Sequence, residues 1–128
     1  MRAILDLAGL DESALQTPPA YPLDPHVHAD LLRAGGARAP IRMDCSGKHA
    51  AMLLTCVRNG WPVESYLAAD HPLQVLITRT FTELTGAPPA ETSVDGCGAP
   101  LLATSLVGLA RAIASIADGT AGEGADRL

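Results

Sequence analysis

Asp44-Cys45-Ser46-Gly47-Lys48-His49-Ala50-Ala51-Met52-Leu53-Leu54-Thr55-Cys56-Val57-Arg58-Asn59-Gly60 carries two signals at once. Ala50, Leu53, Leu54 and Val57 recur at the spacing of one helical face, which predicts a helix over residues 46–58 closed by Asn59-Gly60. Just ahead of it stand a cysteine, a glycine and a lysine. A helix N-terminus offers free N–H groups and a positive dipole end, which favour a thiolate. Cys45 and Lys48, three residues apart, point the same way from a first helical turn.

Working outward, Pro and Gly divide the rest of the chain into further helical segments. Residues 2–8 read as a helix stopped by Gly9, and residues 10–15 as a single turn capped by Asp11 or Ser13. The four prolines between Thr17 and Pro25 impose an extended chain. Asp24-Pro25 then starts a helix to about residue 34, ended by Gly35-Gly36. Another helix begins at Asp70-His71-Pro72, with Leu73, Leu76, Ile77, Thr80, Phe81 and Leu84 on one face, and stops at Gly86. Thr92-Ser93-Val94 reads as a short strand inside the loop of residues 87–100. A last helix over about 101–117 is expected to turn Leu102, Leu106, Leu109, Ile113 and Ile116 inward. The fold class is mainly α, with about five helices and at most one short strand. Residues 118–128 read as a flexible C-terminal tail.

Composition narrows the function. In 128 residues, 48% are apolar and 3% aromatic, so the core is built from Leu, Ala, Ile and Val. The net charge is −5 without a basic cluster, which excludes a nucleic-acid binder. Eight of the nine basic residues are arginine, and Lys48 is the only lysine. Residues 99–117 are apolar enough to suggest a membrane span, but Arg111, Thr104, Ser105 and Ser115 point to a buried helix instead. The acid Asp6 interrupts the short N-terminal apolar stretch, so no signal peptide is read. An odd number of cysteines (Cys45, Cys56 and Cys97) without an export signal suits a reduced, cytoplasmic protein.

The second chemically loaded stretch is Asp95-Gly96-Cys97-Gly98-Ala99-Pro100. Its cysteine, like Cys45, sits among glycines shortly before a helix. Two thiolates and a third donor would take a soft divalent ion, zinc above all, with one position left open. Were Lys48 that donor, its amine would have to be neutral. Cys56 belongs to an apolar helix face and reads as core. His26, His28 and His71 read as capping or solvated residues, whereas His49 adjoins Lys48. Asp95 is either a turn former or an acid placed beside Cys97. A phosphate-binding loop is excluded, because its first glycine would fall at Arg42 and His49 replaces its Ser or Thr. A serine-lysine hydrolase motif is excluded too, because Cys45 stands three residues before the lysine.

Cys45-Ser46-Gly47-Lys48-His49-Ala50, Gly60-Trp61-Pro62, Tyr66, His71-Pro72-x-Gln74 and Asp95-Gly96-Cys97-Gly98-Ala99-Pro100, in this order, resemble the asparaginase II family of rhizobial-type asparaginases. The stretch from Leu5 to Pro22 fits as well, so the resemblance spans residues 2 to about 117 within a partial domain over 1–117. It implies the central helical part of an α+β fold similar to serine-dependent glutaminases and penicillin-recognising enzymes. It also implies hydrolysis of L-asparagine to L-aspartate and ammonia, and zinc held by Cys45, Lys48 and Cys97. Next to the metal, His49 and Asp95 would hold the ligands or the substrate's ammonium, and the resemblance leaves a homodimer open. The family's two serine-lysine tandems find no match here, since Lys48 is the only lysine. The chain therefore reads as a truncated product, a degenerate copy or one half of a split enzyme, inactive alone. Two other readings stay open: a non-catalytic zinc-binding helical module, and a cysteine hydrolase with Cys45 as nucleophile and Lys48 as base.

Overall fold

Several helices start or stop at a residue whose side chain or backbone satisfies the free peptide groups at that end. In the computed structural model, which describes residues 1–121, helix α1 (Arg2–Ala8) ends at Gly9 with φ 67°, a left-handed cap that glycine adopts without strain. Asp11 caps the 3-10 turn Glu12–Ala14 by accepting from the Ser13 N–H at 2.8 Å. Asp24 does the same for α2 (Pro25–Arg33), accepting from the N–H groups of His26 and Val27 at 2.9 Å each. Helix α3 spans Ser46–Asn59. Before α4 (Pro72–Thr85) the cap is His71, whose Nδ1 accepts from the Leu73 N–H while its Nε2–H donates to Pro62 O at 2.8 Å. Of the two roles open to His71, the structure assigns capping, and the ring is buried.

Between α4 and the last helix, β1 (Thr92–Val94) pairs antiparallel with β2 (Pro100–Leu102) in the register Thr92↔Leu102, Ser93↔Leu101, Val94↔Pro100. The ribbon adds one strand to the single strand expected and moves the start of α5 to Leu106 (Leu106–Ala117). The cause is local. Ala103 N–H bonds to Glu91 O and its carbonyl accepts from Ala90 N–H, so residues up to 103 spend their backbone groups across the ribbon. Pro100 has no N–H to lose at the strand start. Ser105 then supplies a fresh cap, its hydroxyl accepting from Gly108 N–H at 3.1 Å.

The core gathers Leu5 and Leu15 against Ala50, Leu53 and Cys56 of α3, with Tyr66 and Leu73 closing it. The buried stripe of α3 thus runs through Ser46, His49, Ala50, Leu53 and Cys56, and Val57 lies outside it at 39% exposure. Cys56 is core, as its place on the apolar face implied.

Helix α5 departs from expectation more sharply. It packs on α4 through Gly108 and Ala112, while Leu106, Leu109 and Ile113 face outward. A Cβ on Gly108 would lie 3.3 Å from Thr85 Cβ of α4 and 2.5 Å from Thr104 Oγ1 on its own segment, so the glycine allows a close approach of the two helices. Arg111 then reaches Thr85 O at 3.2 Å and satisfies a free carbonyl at the end of α4. Among the described residues no helix is long and apolar enough to cross a membrane. Of the expected tail, residues 118–121 form a turn in which Asp118 accepts from Thr120 and Ala121 N–H bonds to Ser115 O. Residues 122–128 lie outside the described residues.

The two apolar faces make a direct contrast. Leu53→Ala, at a fully buried position, is expected to cost about 2–5 kcal/mol in urea unfolding. Leu106→Ala, at 85% exposure, is expected to stay within about 0.5 kcal/mol.

Candidate functional site

Two chain reversals deliver the chemistry. The first precedes α3, where a 3-10 turn (Pro40–Arg42) leads into Met43. The buried Ser46 hydroxyl lies 3.0 Å from Ile41 O and 2.5 Å from Met43 O, which pins the entry angle of the helix. Cys45 occupies the N-cap position, and its N–H goes to Asp44 Oδ1 at 3.0 Å and Met43 Sδ at 3.2 Å. The second reversal joins β1 to β2. Asp95 N–H bonds to Ala99 O and Gly98 N–H to Asp95 O, each at 2.9 Å, and Gly98 takes φ +87° to close the turn. Cys97 stands at its tip, fully buried.

These reversals meet. The sulfurs of Cys45 and Cys97 and a carboxylate oxygen of Asp95 lie within 4.8 Å of one another. Lys48 Nζ donates to Cys97 Sγ at 3.4 Å and approaches Asp95 Oδ2 at 3.5 Å. The Cys97 thiol donates to Asp95 Oδ2 at 3.2 Å, and Gly96 N–H to Asp95 Oδ1 at 2.7 Å. Cys45, Lys48, Asp95 and Cys97 therefore form one cluster, with His49 next to it on α3. His71 caps α4 instead, His28 stacks on Tyr21 with ring centroids 4.5 Å apart, and Cys56 stays in the core.

The electrostatics follow from this crowding. Burial pushes the Cys45 thiol up, with Asp44 and Cys97 adding to it against the opposing charge of Lys48. Burial works to lower the Lys48 amine, but the Cys97 hydrogen bond and the charges of Cys97, Cys45 and Asp95 outweigh it, so the net shift is upward. The Cys97 hydrogen bond and the Gly96 N–H hold Asp95 below the usual carboxylate range, helped by Lys48. His49 is pushed down by burial and by Lys48, with Asp95 pulling the other way, and stays neutral.

Two thiols and an amine converging at one point make a donor set that fits zinc, which takes sulfur and nitrogen ligands in fours. Lys48 bridges Cys97 and Asp95 as an ammonium, so it could ligate a metal only by losing its proton, as could the thiols. The residue that sequence reasoning left without a role is Tyr66. Its ring is fully buried, and its hydroxyl lies 2.7 Å from His49 Nδ1 and 3.1 Å from Gln16 N. A buried phenol needs a polar partner, which is the one signal that could have marked it.

A groove of about 530 Å³ lies between α3 and α4, with Lys48 at its edge and Met52, Leu73, Leu76, Ile77 and Phe81 along it. Its walls are apolar, in contrast to the polar cluster beside it.

A family model described as L-asparaginase II matches residues 1–127. No curated protein matches the chain.

Thiol chemistry reads this geometry directly. In the metal-free folded chain, Cys45 (half-buried) is expected to alkylate with iodoacetamide more slowly than a free thiol at pH 7.5. Cys56, fully enclosed, should react only after urea is added. Peptide mapping of the labelled chain checks both, and early labelling of Cys56 would contradict the packing.

Proposed function

We propose, for a chain that belongs to the L-asparaginase II family, that its site is built for L-asparagine, and that these residues alone bind metal and amino acid without completing the hydrolysis. The family implies a small-molecule amide substrate. What supports the finer reading is the convergence of Cys45, Lys48, Asp95 and Cys97 from two loops that lie far apart in the chain.

Cys45, Lys48 and Cys97 would hold zinc, and two thiolates with a neutral amine give an uncharged complex that a half-buried site tolerates. When bound, the ion would supply Lewis acidity toward an amide carbonyl. Asp95 now holds the Lys48 ammonium; once Lys48 has given up its proton, the same ionised carboxylate is free to hold the α-ammonium of the substrate. His49 supplies a neutral imidazole at the edge of the cluster. The three unpaired thiols suit a reducing cytoplasm.

Hydrolysis also needs a nucleophile and a base. Ser46, the serine next to Cys45, is fully buried with its hydroxyl committed to main-chain carbonyls, and Lys48 is the only lysine. A Cys45–Lys48 pair is disfavoured as nucleophile and base, because the Lys48 hydrogen bond goes to Cys97 and both groups are shifted toward their protonated forms.

The purified 128-residue chain is expected to take up zinc yet release no ammonia from L-asparagine above a buffer blank. Sustained turnover lost in Cys45→Ser but kept after zinc removal would overturn this in favour of the cysteine hydrolase. Zinc uptake without any affinity for L-aspartate would favour the non-catalytic zinc module.

Asp95 competes with Lys48 for the third ligand position, since its carboxylate also lies near both sulfurs. Lys48→Arg keeps the charge but cannot ligate, so zinc affinity should fall by at least tenfold in a chelator competition, on the order expected for loss of a ligand. Asp95→Asn should leave zinc stoichiometry intact and weaken L-aspartate binding. The reverse pattern would assign Asp95 to the metal.

A further inference from the structure

Among the polar side-chain atoms that the described residues enclose completely, His49 Nε2 is left without a hydrogen-bond partner. The ring is fully buried and its other nitrogen, Nδ1, lies 2.7 Å from the Tyr66 hydroxyl. A buried imidazole with one nitrogen paired and one bare is an incomplete arrangement, and which nitrogen carries the proton decides what it can do.

Counting hydrogens settles that choice. Gln16 N–H can only donate, so at 3.1 Å it uses one lone pair of the Tyr66 oxygen. The phenol keeps one hydrogen to give, and His49 Nδ1 is the other polar atom beside it. If Nδ1 carried the proton, the phenolic hydrogen and the Nε2 lone pair would both go unmet in a closed pocket. If Nε2 carries it, the phenol donates to Nδ1 and a single N–H is left over. The second arrangement leaves one unmet group against two, and burial penalises each such group. Tyr66 is itself held from the other side, because buried Gln74 donates from Nε2 to Tyr66 O at 2.8 Å.

We infer that Tyr66 is a positioning residue: it keeps the His49 proton on Nε2, so that the imidazole presents an N–H donor to an acceptor oxygen of the bound amino acid. Naming that ligand rests on the asparagine reading above; the hydrogen-bond lock does not. The bare donor belongs to the residue that follows Lys48 in the first turn of α3, next to the cluster of Cys45, Lys48, Asp95 and Cys97. Once the side chains that enclose Nε2 give way, a carboxylate or carboxamide oxygen would satisfy the one enclosed side-chain donor left unpaired among the described residues. Tyr66 touches neither metal nor ligand and acts only through His49.

The test is a long-range proton–nitrogen correlation spectrum of the whole chain with nitrogen-15 histidine, zinc-loaded, with L-aspartate as the titrant. In the wild type, His49 should show a protonated Nε2 and an unprotonated, hydrogen-bonded Nδ1, and the Tyr66 hydroxyl proton should be slow to exchange. Tyr66→Phe should move proton population to Nδ1 and weaken L-aspartate binding by about tenfold, the effect of losing one buried hydrogen bond, with zinc stoichiometry unchanged. A wild-type His49 protonated on Nδ1, or a tautomer indifferent to Tyr66→Phe, overturns the inference. Should Tyr66→Phe fail to fold, the wild-type tautomer and the hydroxyl exchange rate still decide. An intact tautomer in a wild-type chain that does not bind L-aspartate would refute the asparagine reading while the lock stands.

Discussion

One buried phenol ties three segments of the chain together. Tyr66 sits in the stretch between α3 and α4, its carbonyl accepts from Gln74 of α4, and its hydroxyl joins the Gln16 backbone to His49 of α3. Apolar contact in the core favours burial but is not directional. Hydrogen bonds inside a closed pocket are directional and costly to leave unmade, so they set the positions that packing only favours. The first turn of α3, with Cys45, Lys48 and His49, is therefore placed by the Ser46 tie at its start and the Tyr66 tie one turn further on.

How much of this could be read from residues alone depended on how local each cause was. Asp24, Gly9 and Gly86 announced helix ends because a cap is decided within a few residues. The α3 stripe was legible in part: Ala50 and Leu53 are buried as the spacing required, whereas Leu54 is half-buried and Val57 exposed. Helix α5 was misjudged because periodicity marks which residues are large and apolar, whereas helix contact there selects which are small. Gly108 and Ala112 form that contact and the leucines are turned away. Ser105 carried the true start of the helix, but Leu101 and Leu102 continued its apolar pattern and masked it. The strand pairing that claims them depends on residues 90–95.

The site divides in the same manner. Cys45 and Lys48 could be paired by spacing, but bringing Cys97 to them takes the ribbon turn, and no periodic rule spans 49 residues. Residue chemistry suggested Cys97 as a second thiolate, resemblance to a family joined it to Cys45 and Lys48, and the structure places the three residues side by side. Tyr66 stands among the residues shared with that family, but its role is not legible in the sequence, since its partners lie 50 and 17 positions away. Asp95 kept both of its readings: it is a turn former through the Gly96 and Gly98 N–H groups and an acid through Lys48.

A composition with one lysine has a further consequence once that lysine lies in the cluster. Apart from the α-amine of Met1, the ε-amine of Lys48 is the only primary amine in the chain, and 44% of its side chain is accessible. Amine-directed reagents, which elsewhere modify many surface lysines at once, would here report on a single atom. The pairing state of that nitrogen, whether bridged to Cys97 and Asp95 or drawn onto a cation, is open to ordinary acylation chemistry without any engineered label.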